Sequence, residues 1–257
     1  MKRKTLSGAV KGIPRFSRSG FRIYMRSMNE TRTTSPRKRE ISAAAYPCLP
    51  PHCREAVAAR LLPPVETLLD LGCGEGRFLL ETRGKYRRGL GLDADIAALR
   101  AALRRGLPVA LADLEAGEFP SRPVAAAVCL DVIEHVRDPR VLLGRIRRAL
   151  RDGGLLILST PNIRQWRRLL TLALRGSFPP SSSRTASGYD GGHLHYFTAA
   201  DLLSLLRGAG FQPLRLKGIF PRKGFGRLIG RFPFLSSARP AVEFLAAGVV
   251  VMARKAP

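Results

Sequence analysis

Residues 68–76 run Leu-Leu-Asp-Leu-Gly-Cys-Gly-Glu-Gly, a short apolar stretch that empties into a loop with glycine at 72, 74 and 76. Glycine tolerates the tight turn of such a loop and leaves backbone bare where a ligand must approach it. A helical pattern begins at Arg77. A strand, a glycine loop and a helix N-terminus in that order form a nucleotide-binding corner of an α/β fold. Two kinds of loop do not fit. A Walker loop ends in Gly-Lys-Ser/Thr, which is missing here. A dinucleotide loop is spaced G-x-G-x-x-G, and Arg77 stands where its third glycine belongs. Asp70 also lies two residues before the first glycine, where a pyrophosphate would meet a negative charge. A ligand with an ammonium group would be drawn to that carboxylate.

The stretch Asp70-Leu-Gly72-Cys-Gly74-Glu-Gly76 resembles the first motif of class I S-adenosylmethionine-dependent methyltransferases, D/E-x-G-x-G-x-G, at every fixed position. The resemblance implies S-adenosylmethionine as cofactor, with Asp70, Gly72, Cys73, Gly74 and Gly76 among the residues that bind it. Residues 88–93 read as a second strand ending in Asp93. This acid lies 17 residues beyond Gly76, near the spacing at which a carboxylate meets ribose hydroxyls. A carboxylate only accepts hydrogen bonds, so it suits two hydroxyl donors. Asp95 is expected to cap helix 96–105, which leaves Asp93 and Ala94 for the cofactor. A third strand, 107–112, ends at Asp113-Leu114. The resemblance implies that this acid and the following amide meet the adenine, although an acid after a strand also suits an ordinary turn.

Strand four is a continuous apolar run, Val124 to Leu130, fit for a sheet buried on both faces. Asp138 and Pro139 read as an N-cap and the first residue of helix 139–151, with Leu142, Ile146 and Leu150 on one face and Gly153-Gly154 at its end. Strand five follows at 155–159, then Thr160-Pro161-Asn162. Ligands of open α/β sheets bind at the carboxyl ends of strands. Asp70, Asp93, Asp113, Asp131 and Asn162 all fall there, and Asp131 joins the cofactor-binding set.

Strand four leads into Asp131-Val-Ile-Glu134-His135-Val, which is similar to the D/E-V-I/L-E-H-V phrase of the ubiquinone-biosynthesis O-methyltransferase type. The similarity resumes at His193-Leu-His195-Tyr196-Phe197-Thr198. Thr198 and Asp201 there read as a capping box with Asp in place of Glu, and Gly208 and Gly210 close the helix. The resemblance spans roughly residues 45–255 and implies a Rossmann-like, seven-stranded, mostly parallel sheet flanked by helices, with an insertion after strand five and a final antiparallel strand at 248–254. Strand–helix alternation alone supports only α/β. With a methyl group already activated on a sulfonium, the protein mainly aligns donor and acceptor. A hydroxyl acceptor calls for a base, and histidine, with a pKa of about 6.5, suits that work. His135, His193, His195 and Glu134 are the catalytic candidates. Glu134 and His135 could also hold a divalent ion, but two ligands are too few to claim a site.

Length and a 45% hydrophobic content fit one α/β core over 45–257. Residues 1–44 are expected to form a disordered basic tail: the first 40 carry 12 basic and 2 acidic side chains. Cys48, Cys53, Cys73 and Cys129 have no metal-ligand spacing and suggest free thiols in a cytoplasmic protein. The net charge of +25 is the odd feature. In the insertion 162–197, expected as an acceptor-side lid, Arg164, Arg167, Arg168 and Arg175 share one helical face. Trp166, Leu169, Leu170 and Ala173 share the other. Segment 164–178 is thus a basic amphipathic helix with three readings: a lid over the acceptor, contact with an anionic membrane at its inner face, or plain packing. Lys217, Arg222, Lys223, Arg227 and Arg231 form a second basic stretch, and 215–240 is expected beside the acceptor.

The function expected from these features is methyl transfer to a small or lipid-like acceptor at oxygen. An RNA-directed methyltransferase is the alternative that basicity favours. Against it, the D/N-P-P-Y/F phrase of base amino-methylating enzymes is absent after strand four, and 7% aromatics offer few stacking platforms. Nucleic acid is therefore not expected as a partner. A non-catalytic module that keeps only the cofactor fold is the other alternative.

Overall fold

The computed structural model describes residues 53–117, 119–120, 122–181, 189–220 and 237–257. The expected tail, Cys48, and Arg222, Lys223, Arg227 and Arg231 lie outside the described residues. Seven strands, β1 (Val65–Leu71), β2 (Tyr86–Asp93), β3 (Val109–Leu111), β4 (Val124–Leu130), β5 (Leu150–Pro161), β6 (Phe211–Ile219) and β7 (Gly248–Lys255), form one sheet in the order β3-β2-β1-β4-β5-β7-β6. The first five are parallel, and β7 enters antiparallel between β5 and β6. The strand order reverses between β1 and β4, so their carboxyl ends open a crevice at the point where ligands bind such sheets.

Side-chain alternation divides the strands between two cores. Leu69, Leu71, Ala127, Cys129, Leu156 and Leu158 pack on one face, against α4 (Pro139–Ala149) and α6 (Ala199–Gly208). Leu68, Ala126, Val128, Leu130 and Ile157 face the other way, against α1 (Arg54–Leu61), α2 (Arg77–Glu81) and α3 (Ile96–Arg104). Every residue of β4 is buried, as its unbroken apolar run requires. The caps fall where the sequence puts them. Asp95 accepts from Ala97 N and Ala98 N. Asp138 accepts from Arg140 N and Val141 N. Thr198 and Asp201 close a full capping box.

Several boundaries differ from expectation. β3 is three residues long, because Leu107 leaves the strand to pack over Gly76. The helix expected at 139–151 stops at Ala149, and β5 begins at Leu150, which pairs with Val124 before the register shifts. Gly153, at φ +67°, therefore sits inside that irregular strand start rather than in a connecting loop. Residues 215–219, the first part of the segment 215–240 expected beside the acceptor, belong to the edge strand β6, at the end of the sheet away from the crevice.

Helix α5 (Trp166–Arg175) overturns the plain-packing reading. None of its residues is buried, and Leu169, Leu170, Leu172 and Leu174 are exposed. Arg168 instead turns inward, where its guanidinium donates to the carbonyls of Asn162, Ala247 and Ser181. An arginine anchors the helix and leucines face outward. Among the described residues no helix is long and apolar enough to cross a membrane.

Candidate active site

The glycine loop is held in left-handed backbone, with φ of +73° at Gly72, +52° at Gly74 and +77° at Gly76. The three glycines serve different ends. A Cβ on Gly72 would lie 2.3 Å from Val132 Cγ2, and one on Gly76 would lie 2.2 Å from Leu107 Cδ1. Both let elements pack closely. A Cβ on Gly74 would meet nothing within 4 Å, because this residue faces a cavity. Gly76 does not line that cavity, and its expected role in binding gives way to one in packing.

The cavity has a volume of about 1090 Å³ and extends from the glycine loop to the strand-four loop. Asp70, Gly72, Cys73, Gly74, Asp93, Ala94, Asp113, Leu114, Asp131, Glu134, His135 and His193 all line it. Asp70 is 3% exposed, and its Oδ2 has no hydrogen-bond partner. Burial, reinforced by the nearby charges of Asp93 and Glu55, pushes its carboxyl up to about 7. Asp93 accepts from Gly74 N at 2.6 Å and from Asp95 N at 2.8 Å, which ties the loop to the end of β2. Each oxygen keeps a lone pair for a further donor. Asp113 accepts from Glu115 N and Ala116 N, so it closes the turn after β3 while lining the cavity. Burial pushes the Cys73 thiol well up, which leaves it a packing group.

Asp131 adopts φ +51°, a conformation that aspartate tolerates. Ser159 donates to its Oδ1 at 2.5 Å, and Arg54 pairs with its Oδ2. Arg54 and Glu55, from the start of α1, also line the cavity. They escaped the sequence reading because nothing in a short helix of weak amphipathicity marks which end meets a ligand. In a chain of net charge +25, carboxylates gather along this cavity.

Backbone bonds bring the two histidine-bearing phrases together. The Glu134 carbonyl accepts from Leu194 N at 2.8 Å and His195 N at 3.1 Å, and Ile163 N donates to Phe197 O at 3.0 Å. The rings of His135 and His193 stand edge to face, 4.6 Å between centroids. Burial and the neighbouring His135 lower the pKa of His193, which favours its neutral form. His195 is turned elsewhere: its Nε2 lies 3.2 Å from Arg137 O, and it does not line the cavity. Strand alternation would put residues two apart on one face, but no strand runs through 193–196, and the two histidines find different partners. Asn162 also belongs to the scaffold. Fully buried, its amide nitrogen faces the carbonyls of Val242, Glu243 and Ala246 and so fastens α7 (Arg239–Leu245).

Glu134 is buried, with Thr160 donating to Oε2 and Oε1 left without a partner. Burial, with the charge of Asp131 adding to it, raises its pKa. Glu134, His135 and His193 each bring one potential ligand atom within 4.8 Å of the others, so the fold adds His193 to the two donors seen in sequence. Ligation needs a deprotonated carboxylate, so an ion there would compete with a proton on Glu134.

A family model described as a methyltransferase domain matches residues 47–216. A probable S-adenosylmethionine-dependent methyltransferase of Mycolicibacterium smegmatis is 30% identical over 167 residues, covering 64% of this chain and 59% of that protein. One of Mycobacterium tuberculosis is 30% identical over 171 residues, covering 65% and 57%. The chain thus spans a little over half the length of these relatives. The crystal structure of an S-adenosylmethionine-dependent methyltransferase from Mesorhizobium loti shares the fold, with a TM-score of 0.57 and 22% identity over 78% of this chain and 97% of that one.

Proposed function

This chain belongs to the methyltransferase-domain family, and on that premise we propose that it methylates a small or lipid-like acceptor at oxygen. One observation carries the reading: a buried, unpartnered carboxylate oxygen on Asp70 faces an acid-lined cavity that also holds a pair of histidines. S-adenosylmethionine, when bound, supplies an electrophilic methyl group on a sulfonium that keeps the bonding electron pair as the methyl leaves.

The residues present fit this cofactor. Asp70 Oδ2 lacks the cationic donor that an ammonium would provide. The open face of Gly74 leaves room that a side chain would fill. The spare lone pairs of Asp93 suit two ribose hydroxyls. The carboxylates of the cavity favour a ligand carrying positive charge. At the other end, His193 is the base: its Nε2 takes the proton that an acceptor hydroxyl releases. Glu134, His135 and Asp131 shape that end.

The outward leucines of α5, flanked by Arg164, Arg167 and Arg175, support an acceptor reached at an anionic lipid surface. The test is transfer of labelled methyl to a panel of phenols, hydroxy acids and lipid alcohols, with and without anionic vesicles. Label on hydroxyl compounds, lost when the hydroxyl is removed, is the expected result. Label on amines or RNA alone would overturn the assignment to oxygen.

A further inference from the structure

His193 does not stand alone at the cavity wall. Its side chain is 5% exposed, and beneath it lies the Asp190 side chain, 3% exposed. Asp190 holds Ser181 with both oxygens: Oδ1 accepts from Ser181 N at 2.8 Å, and Oδ2 accepts from Ser181 Oγ at 2.6 Å. Ser181 Oγ in turn lies 2.7 Å from His193 Nδ1. The direct separation from Asp190 Oδ2 to His193 Nδ1 is 3.5 Å, too long for a hydrogen bond. The hydroxyl is therefore the link. It has a single proton. With that proton given to the carboxylate, Oγ can only accept from the ring. The neutral imidazole must then carry its proton on Nδ1, which leaves the lone pair at Nε2.

We infer that Asp190 and Ser181 are positioning residues, a carboxylate–hydroxyl–imidazole chain that fixes His193 as the Nδ1–H tautomer and frees Nε2 to take a proton. What the freed nitrogen does rests on the methyl-transfer reading. The tautomer rests on the hydrogen bonds alone. Ser181 lines the cavity beside His193, and Asp190 stands behind it. Their effect passes through the ring, as an aspartate sets the tautomer of a catalytic histidine in serine hydrolases. When His193 takes the acceptor proton, both ring nitrogens bear hydrogen. Nδ1–H still donates to Ser181 Oγ, and the negative charge of Asp190 faces the imidazolium.

The test is a long-range 1H–15N spectrum of the ligand-free, EDTA-treated full chain at about pH 8, where imidazoles are neutral. His193→Gln assigns the signals. The expected wild-type pattern is a pyrrole-like shift at Nδ1 and a pyridine-like shift at Nε2. In Asp190→Asn the amide oxygen keeps the bond from Ser181 N, so the amide nitrogen faces Oγ and donates to it. Oγ must then donate to Nδ1, and the two ring shifts exchange. Ser181→Ala removes the link and yields a mixture of tautomers. A wild-type ring already protonated at Nε2, or an Asp190→Asn spectrum identical to wild type, overturns the inference. Should Asp190→Asn fail to fold, the wild-type and Ser181→Ala spectra decide. Titration of the same samples with S-adenosylhomocysteine separates the two readings. Retained affinity in Asp190→Asn is expected, because the donor end is untouched. Wild-type protein with the expected tautomer but no affinity would sink the methyl-transfer reading instead.

Discussion

Asp70 makes the affinity for S-adenosylhomocysteine depend on pH in a calculable way. This ligand carries the ammonium of the methyl donor without the sulfonium. In the free protein the carboxyl is pushed up to about 7, by burial first and then by Asp93 and Glu55. An ammonium opposite Oδ2 favours the ionised form, so binding expels a proton wherever Asp70 still holds one. Each unit below about 7 then costs about 1.4 kcal/mol, a factor of ten. Affinity is expected to fall about tenfold between about pH 8 and about pH 6. Isothermal titration in two buffers of different ionisation enthalpy reads both the affinity and the released proton. Burial and His135 hold His193 below its ordinary value, which moves its titration away from the upper part of this window. Asp70→Asn should bind more weakly at high pH and show a flat profile. A wild-type affinity that does not change with pH, or an unchanged slope in Asp70→Asn, would refute the assignment. The free protein should show the linked effect. A carboxyl whose folded pKa exceeds its unfolded value of about 3.9 lowers stability as pH rises from about 4 through about 7. Urea unfolding across that range should show the decline, and Asp70→Asn should lessen it, leaving the share of the buried Glu134 carboxyl, which acts in the same direction.

Asp93→Ala should weaken S-adenosylhomocysteine binding by about 1.5–3 kcal/mol, as expected for losing hydrogen bonds to a charged group; unchanged affinity in calorimetry would remove Asp93 from the site. Gly72→Ala forces a side chain into left-handed backbone and against Val132, and urea unfolding should register a loss of about 1–3 kcal/mol. Asn162→Asp replaces an amide donor that faces three carbonyls with an acceptor, so it should cost about 1–3 kcal/mol or more; thermal unfolding close to wild type would contradict the clamp on α7. Replacing Leu169, Leu170 and Leu174 together by Gln should abolish flotation with anionic vesicles and leave S-adenosylhomocysteine affinity unchanged, while equal flotation of both proteins would remove α5 from membrane contact.

Most of the residues that line the glycine-loop end of the cavity could be picked out from sequence because their signals are local. The glycine loop, the acids at strand ends and the caps at Asp95, Asp138 and Thr198 each depend on neighbours a few residues away. The all-buried β4 could be read for the same reason, since seven apolar residues in a row allow few other fates. What escaped depends on distant partners. Asn162 looked like a ligand residue because it follows a strand, yet α7, some 80 residues on, takes up its amide. Arg54 meets Asp131 across 77 residues of chain. Arginine spacing in α5 was legible as an amphipathic pattern, but which face turned inward depended on three carbonyls that no periodicity reveals. His193 and His195 looked equivalent, two residues apart in one phrase, yet Ser181 takes one ring and the Arg137 carbonyl the other, partners that no local pattern reveals.

The attachment of the histidine loop to Glu134 runs through a main-chain carbonyl and two main-chain amides. All residue types but proline carry both groups. Side chains at 134 and 194 can therefore drift without moving the imidazole between the anchor and Ser181. Under the proposed function, evolution could rebuild the acceptor wall residue by residue around a base that keeps its place, and so pass from one hydroxyl compound to another without relearning the chemistry.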